Sequence, residues 1–167
     1  MLSVFDGLRD VTTLSVFVRL ACALICGGII GIERSYKRRP AGFRTHILIC
    51  IGAAITTLTS QYLYLNMHYF TDMARLGAQV VAGIGFIGAG TIIVTKRQRV
   101  KGLTTAAGLW TSAIIGLTFG GGFYEGGILA TVFIMLAELV FSRIEYRVLE
   151  NVPEINLYME YEDKHCL

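Results

Sequence analysis

The sequence predicts an all-α protein that crosses a membrane about five times. Three observations predict it. Apolar residues make up 54% of the 167-residue chain and charged ones only 16%, against ~25% charged in ordinary soluble domains. The apolar residues gather in runs close to the ~20 a helix needs to cross a bilayer's hydrocarbon core. The segments between the runs alternate between strongly basic and nearly neutral, and residues 73 to 124 contain no Asp or Glu.

The expected spans are about 14–32, 45–64, 77–95, 103–118 and 126–142. The loop after the first carries Arg34, Lys37, Arg38, Arg39 and Arg44 against Glu33 alone. The loop before the third holds Asp72 and Arg75. The hairpin between the third and fourth places Lys96, Arg97, Arg99 and Lys101 within six residues. The glycine-rich turn Phe119 to Gly127 has the single acid Glu125. Lys and Arg collect on the cytoplasmic side of membrane proteins, so the N-terminus is expected outside and the C-terminus in the cytoplasm. Residues 1–142 then form a transmembrane domain and 143–167 a short cytoplasmic tail.

Each element has its own cues. Met1 to Thr13 is a short amphipathic lead without the positive n-region of a secretory signal. The first span is followed by positive charge, not by a small-residue cleavage site. Arg19, about five residues in, is expected to snorkel to the outer interface. Gly27 and Gly31 have the small-xxx-small spacing that lets two helices approach closely. Pro40 and Gly42 mark a turn, and the second span closes in Tyr62, Tyr64 and Tyr69, as an interfacial aromatic belt does. Gly83, Gly85, Gly88 and Gly90, with Gly77, give the third span a helix-packing role. Thr104 is placed to N-cap the fourth helix. Beyond the fifth span, Arg143, Glu145, Arg147 and Glu150 suit a helical extension that Pro153 stops. Ile155, Leu157, Met159 and Tyr161 then alternate like a strand, the possible start of a small α/β domain.

Few residues suggest chemistry. The net charge of +3 lies between spans and not along one helix face, which argues against nucleic acid. Cys22, Cys26, Cys50 and Cys166 lack zinc or redox spacing. Gly83 to Gly88 reads G-x-G-x-x-G, but no strand precedes it and no acid follows about 20 residues on, so a dinucleotide site is not expected. A locally unwound helix whose carbonyls hold an ion is the other special reading of that run. His46 has no second ligand nearby, and the hydroxyls have no His/Asp partners for nucleophilic chemistry. We therefore expect no catalytic, cofactor-binding or metal-ligating residues, and no enzyme.

Two polar groups remain. Glu33, Arg34, Arg44, Thr45 and His46 gather at the cytoplasmic ends of the first two spans. Glu138 lies inside the fifth, where an ionisable group is costly and implies a partner, for which Arg34 or Arg44 is at suitable depth. Arg97, Arg99, Lys101, Thr104 and Thr105 adjoin a helix N-terminus, whose free N–H groups attract a phosphate or lipid headgroup. Two functions fit: a regulator that binds another membrane protein through small-residue faces, or a transporter or channel for magnesium or another small solute. Against transport, the spans hold few acids, whereas magnesium sites want carboxylate oxygens.

Three blocks carry a family resemblance: IGIERSYKRRPAGFRTHIL (31 to 49), AQVVAGIGFIGAG (78 to 90) and VKGLTTAAGLWTSAIIG (100 to 116). Together they resemble the MgtC/SapB family of bacterial inner-membrane proteins, with the likeness running from about Gly27 to Glu138. The resemblance implies a multi-pass protein of the bacterial inner membrane, linked to growth in low magnesium and to virulence. For the best-studied members it implies inhibition of the proton-translocating ATP synthase. It also implies that Glu33 and Arg34, in the strongest block, matter for function. Many members end in a cytoplasmic ACT-like domain, of which this tail offers a first strand. Self-association into a homo-oligomer is the remaining expectation.

Overall fold

The computed structural model of the chain describes residues 3–69, 72–95 and 100–150. It is nearly all-α, as the composition predicts. A 3-10 turn, Ser3–Leu8, leads into α1 (Thr13–Tyr36), which Thr12 caps by accepting from the Ser15 N–H while Ser15 accepts from the Thr12 N–H. Then follow α2 (Phe43–Leu65), α3 (Arg75–Gly90), a two-strand hairpin of β1 (Ile93–Val94) and β2 (Val100–Lys101), and α4 (Leu103–Gly120). After α5 (Tyr124–Leu136) come a π-helical turn, Ala137–Phe141, and α6 (Ser142–Glu150). The chain divides into two compact units, residues 1–135 and 136–167. The expected strand around Ile155 to Tyr161 lies outside the described residues.

Among the described residues, four helical stretches are long and apolar enough to cross a membrane: Thr13–Tyr36, Phe43–Leu65, Leu103–Gly120 and Tyr124–Ile144. The fifth, α3, is apolar but has 16 residues, about 24 Å of helix.

Three local expectations are corrected. The third run was expected to stay helical to residue 95, but the helix stops at Gly90. The next five residues, Thr91 to Thr95, are all β-branched and favour extended backbone, and Ile93 and Val94 pair with Lys101 and Val100. Thr104 does not cap α4. Gly102 does, at φ 98, where an added Cβ would lie 2.0 Å from the Thr91 carbonyl oxygen. That position therefore requires glycine. The glycine-rich turn is also shorter than expected: α5 begins at Tyr124, and Gly127 packs its backbone against the Phe119 ring.

In the first unit α2 is held between α1 and α4. An added Cβ at Gly27 would meet the Cys50 Cβ and the His46 carbonyl oxygen at 2.9 Å, and one at Gly31 would meet the Phe43 Cα at 2.7 Å. From the other side, an added Cβ at Gly116 would come 2.2 Å from the Cys50 carbonyl oxygen, and one at Gly120 would come 2.4 Å from that of Ala54. Backbones this close gain dispersion contact that lipid cannot supply. Ala23, Ile30, Cys50, Ala54, Ile115 and Phe119 fill the interior beside them. Outward, Leu14, Phe17, Ile25, Ile32 and Leu48 are exposed, as a lipid-facing surface requires.

Span hydroxyls are satisfied locally. Thr56 donates to Gly52 O at 2.7 Å, Thr59 to Ile55 O, Ser112 to Gly108 O, Thr118 to Ile114 O and Thr131 to Gly127 O. Each bonds the carbonyl one turn back, which satisfies these five hydroxyls within their own helix.

Candidate functional sites at the two ends of the bundle

Polar side chains are buried at both ends of the α1–α2–α4 bundle. At the end where α1 stops and α2 starts, Glu33 and Arg34 are 7% and 1% exposed and His46 and Thr105 are buried. The Glu33 carboxylate accepts from Arg34 Nε at 2.5 Å on one oxygen and pairs with Lys37 Nζ at 2.7 Å on the other. Charge is thus neutralised on the spot, which a buried carboxylate needs. His46 Nδ1 donates to the Gly42 carbonyl at 2.9 Å. Its Nε2 points at α4, where an added Cβ on Gly108 would lie 3.6 Å away.

The opposite end is built around Arg19. The expectation that Arg19 snorkels outward is overturned: it is fully buried. Its Nη1 donates to Gln61 Oε1 at 2.7 Å and Gly120 O at 2.8 Å, and its Nη2 to Arg9 O at 2.6 Å and Leu8 O at 3.3 Å. The Gly120 carbonyl ends α4, where the helix dipole is negative and a cation is favoured. Guanidinium has donors enough to gather acceptors from several elements. Gly122, at φ 75, leaves room for the guanidinium, whose Nη2 an added Cβ would approach to 2.9 Å. Arg9 lies above it, donating to Glu125 Oε1 at 2.7 Å, Asp6 Oδ1 at 3.2 Å and Gly122 O at 3.2 Å. Burial works against the Arg9 charge, but Asp6 and Glu125 outweigh it and hold its pKa above the ordinary value. Tyr124 donates to Leu8 O at 3.1 Å and stacks on Phe5 at 4.9 Å between ring centres. The N-terminal segment is thereby strapped across the α4–α5 turn.

The sequence reading found the first end and missed the second. Two signals pointed to it: a charge inside an apolar span, which is costly unless partnered, and Glu125 as a lone acid near the same interface.

The other expected residues differ in their surroundings. Arg44 and Thr104 are exposed and Thr45 is half-buried, whereas Glu33 and Arg34 are buried. Lys101 is exposed in β2, while Arg97 and Arg99 lie outside the described residues. Glu138 sits in the π-helical turn of the second unit. An added Cβ at Gly88 would meet the Ala106 Cβ at 3.4 Å, whereas Gly83, Gly85 and Gly90 have open space where a Cβ would stand. Among the described residues, an added Cβ at any of those three would find no packing partner within 4 Å. Among the described residues no three His, Cys, Asp or Glu side chains cluster as a metal site would.

The sequence of the MgtC family matches residues 20–147. The chain belongs to the MgtC family. An Escherichia coli K12 protein named "Putative magnesium transporter YhiD" is 42% identical over 149 residues, covering 87% of this chain and 69% of that protein. An uncharacterised Haemophilus influenzae protein is 40% identical over 74% of this chain and 54% of its own length. Protein MgtC of Salmonella typhimurium is 37% identical over 131 residues, 78% of this chain and 54% of that protein. The chain thus spans about half the length of the last two. No solved structure matches it. Family membership, together with four apolar helices of spanning length, makes this a membrane protein of the MgtC family.

Proposed function

We propose that the chain is a non-enzymatic regulator in the bacterial inner membrane, tied to magnesium adaptation, that acts by helix contact with another membrane protein. The proton-translocating ATP synthase is the partner we would test first. In this reading the N-terminus lies outside, and the basic ends of α1, α2 and the hairpin lie in the cytoplasm. The observation that carries it is the outer face of α3. Ala78, Ala82, Gly85 and Ala89 recur at helical spacing, and all are exposed. Small residues turned to lipid let a foreign helix come close, where dispersion and backbone contacts drive association.

A transporter is the second reading, favoured by the name of the Escherichia coli relative. The bundle interior argues against a path through one chain. Between the polar ends, Ala23, Cys50, Ala54, Ile115 and Phe119 are fully buried and leave an apolar middle. An ion crossing there would lose its water without oxygen ligands in exchange.

The test is ATP-driven proton pumping in inverted membrane vesicles, with no protein, the native chain or Gly85→Leu at equal abundance. The native chain is expected to slow pumping and the variant to restore it. Gly85 suits this better than the Glu33–Arg34 pair, because its added side chain enters open space and leaves the fold alone. Unchanged pumping with the native chain would remove the synthase as partner. Magnesium uptake by liposomes containing the native chain alone would establish the transporter reading.

A further inference from the structure

The flank of α3 opposite its small-residue face meets α2 in an open groove of about 370 Å³. Leu48, Gly52 and Thr56 line it on α2, and Val80, Gly83 and Ile87 on α3. Gly52 and Gly83 leave room in it, since an added Cβ at either would find nothing within 4 Å. Thr56 has turned its hydroxyl to the Gly52 carbonyl at 2.7 Å, so the wall offers hydrocarbon and no free donor. From Leu48 to Thr56 the groove descends about 12 Å, close to the ~15 Å of one bilayer leaflet.

A cation stands at the mouth. Arg44 is exposed and lies one turn before Leu48, on the helix face that continues through Gly52 and Thr56 at intervals of four. Exposed Arg38, Arg39 and Lys101 share that end of the bundle. We propose that this groove binds an anionic phospholipid, its acyl chain against Gly52 and Gly83 and its phosphate on Arg44. An exposed guanidinium above an apolar trough one leaflet deep is complementary to a molecule with an anionic head and an apolar tail. A second copy fits less well. Inserted the same way up, it would bring its own Arg38, Arg39 and Arg44 to the same depth, and like charges repel.

The experiment is native mass spectrometry of the purified chain mixed with equal amounts of phosphatidylglycerol and phosphatidylcholine bearing identical acyl chains. Phosphatidylglycerol is expected to be retained several-fold over phosphatidylcholine. Arg44→Gln should abolish that preference while phosphatidylcholine retention stays. Gly83→Leu and Gly52→Leu should each lower retention of both lipids. Gly85→Leu, equally open but outside the groove, should retain lipid like the native chain, which controls for folding together with an unchanged melting temperature. Equal retention of the two lipids by the native chain would overturn the proposal. So would Gly83→Leu dispersing an oligomer with lipid retention unchanged, because the groove would then hold a second copy. The readout is lipid mass, so failure here is distinct from failure of the pumping test.

Discussion

The glycines of α1 and α4 differ from those of α3 in what they meet. Gly27, Gly31, Gly116 and Gly120 press on the backbone of α2, at distances no side chain could share. Among the described residues, an added Cβ at Gly83, Gly85 or Gly90 would meet nothing within 4 Å. The same residue type at similar spacing closes one half of the bundle and leaves the other open. Small residues in a span are thus permission for close approach, and whether the chain itself uses that permission depends on where the neighbouring helices lie.

The largest effect expected from breaking this contrast is at α4. Gly116→Leu or Gly120→Leu would drive a side chain into carbonyls 2.2 and 2.4 Å from its Cβ. Overpacking usually costs about 1–3 kcal/mol, and displacing backbone puts these variants at or beyond the upper end. They should lose the monodisperse peak on size-exclusion chromatography in detergent. A Gly116→Leu protein that melts like the native chain would show that α4 does not pack on α2 in this way.

Arg19→Met should come next. It leaves Gln61 Oε1 and the Arg9 and Gly120 carbonyls without their donor, while the Leu8 carbonyl keeps its bond from Tyr124, and each unsatisfied buried group costs about 1–3 kcal/mol. A loss of roughly 3 kcal/mol is expected in detergent unfolding, with faster amide exchange in residues 3–12 than at the Glu33 end. Uniform exchange across both ends would mean that Arg19 does not hold the strap. Alkali should not open it within the physiological range: Asp6 and Glu125 hold the Arg9 pKa above even the high value usual for arginine, so its charge persists.

Much of the bundle was legible in the sequence because hydrocarbon thickness dictates helix length and loop charge separates the spans. The Gly27–Gly31 contact was legible for the same kind of reason, since its spacing fits a packed helix face. Arg19 was misread because snorkelling and inward burial look alike along one helix. The acceptors that decide between them, Gln61 and Gly120, are 42 and 101 residues away. The end of α3 was misread because hydropathy counts Ile92, Ile93 and Val94 as span material, while their β-branching favours the hairpin they join. Gly116 and Gly120 were passed over beside the denser glycine run of α3, whose openness no local pattern reveals.

The smallest effect is also the sharpest comparison, because one substitution should change sign between the two regions. In a helix interior alanine is favoured over glycine by about 0.5–1 kcal/mol, since glycine loses more backbone freedom on ordering. At Gly83 the new methyl has empty space, so Gly83→Ala should raise the midpoint of thermal unfolding slightly. At Gly27 the same methyl falls 2.9 Å from both the Cys50 Cβ and the His46 carbonyl oxygen, and the resulting displacement should outweigh the entropic gain and lower the midpoint. Measured side by side in one detergent, the pair cancels the intrinsic propensity and leaves the packing difference. Two rises would mean that α1 and α2 stand farther apart than their glycines imply. Two falls would mean that the open flank of α3 is already filled, by lipid or by protein.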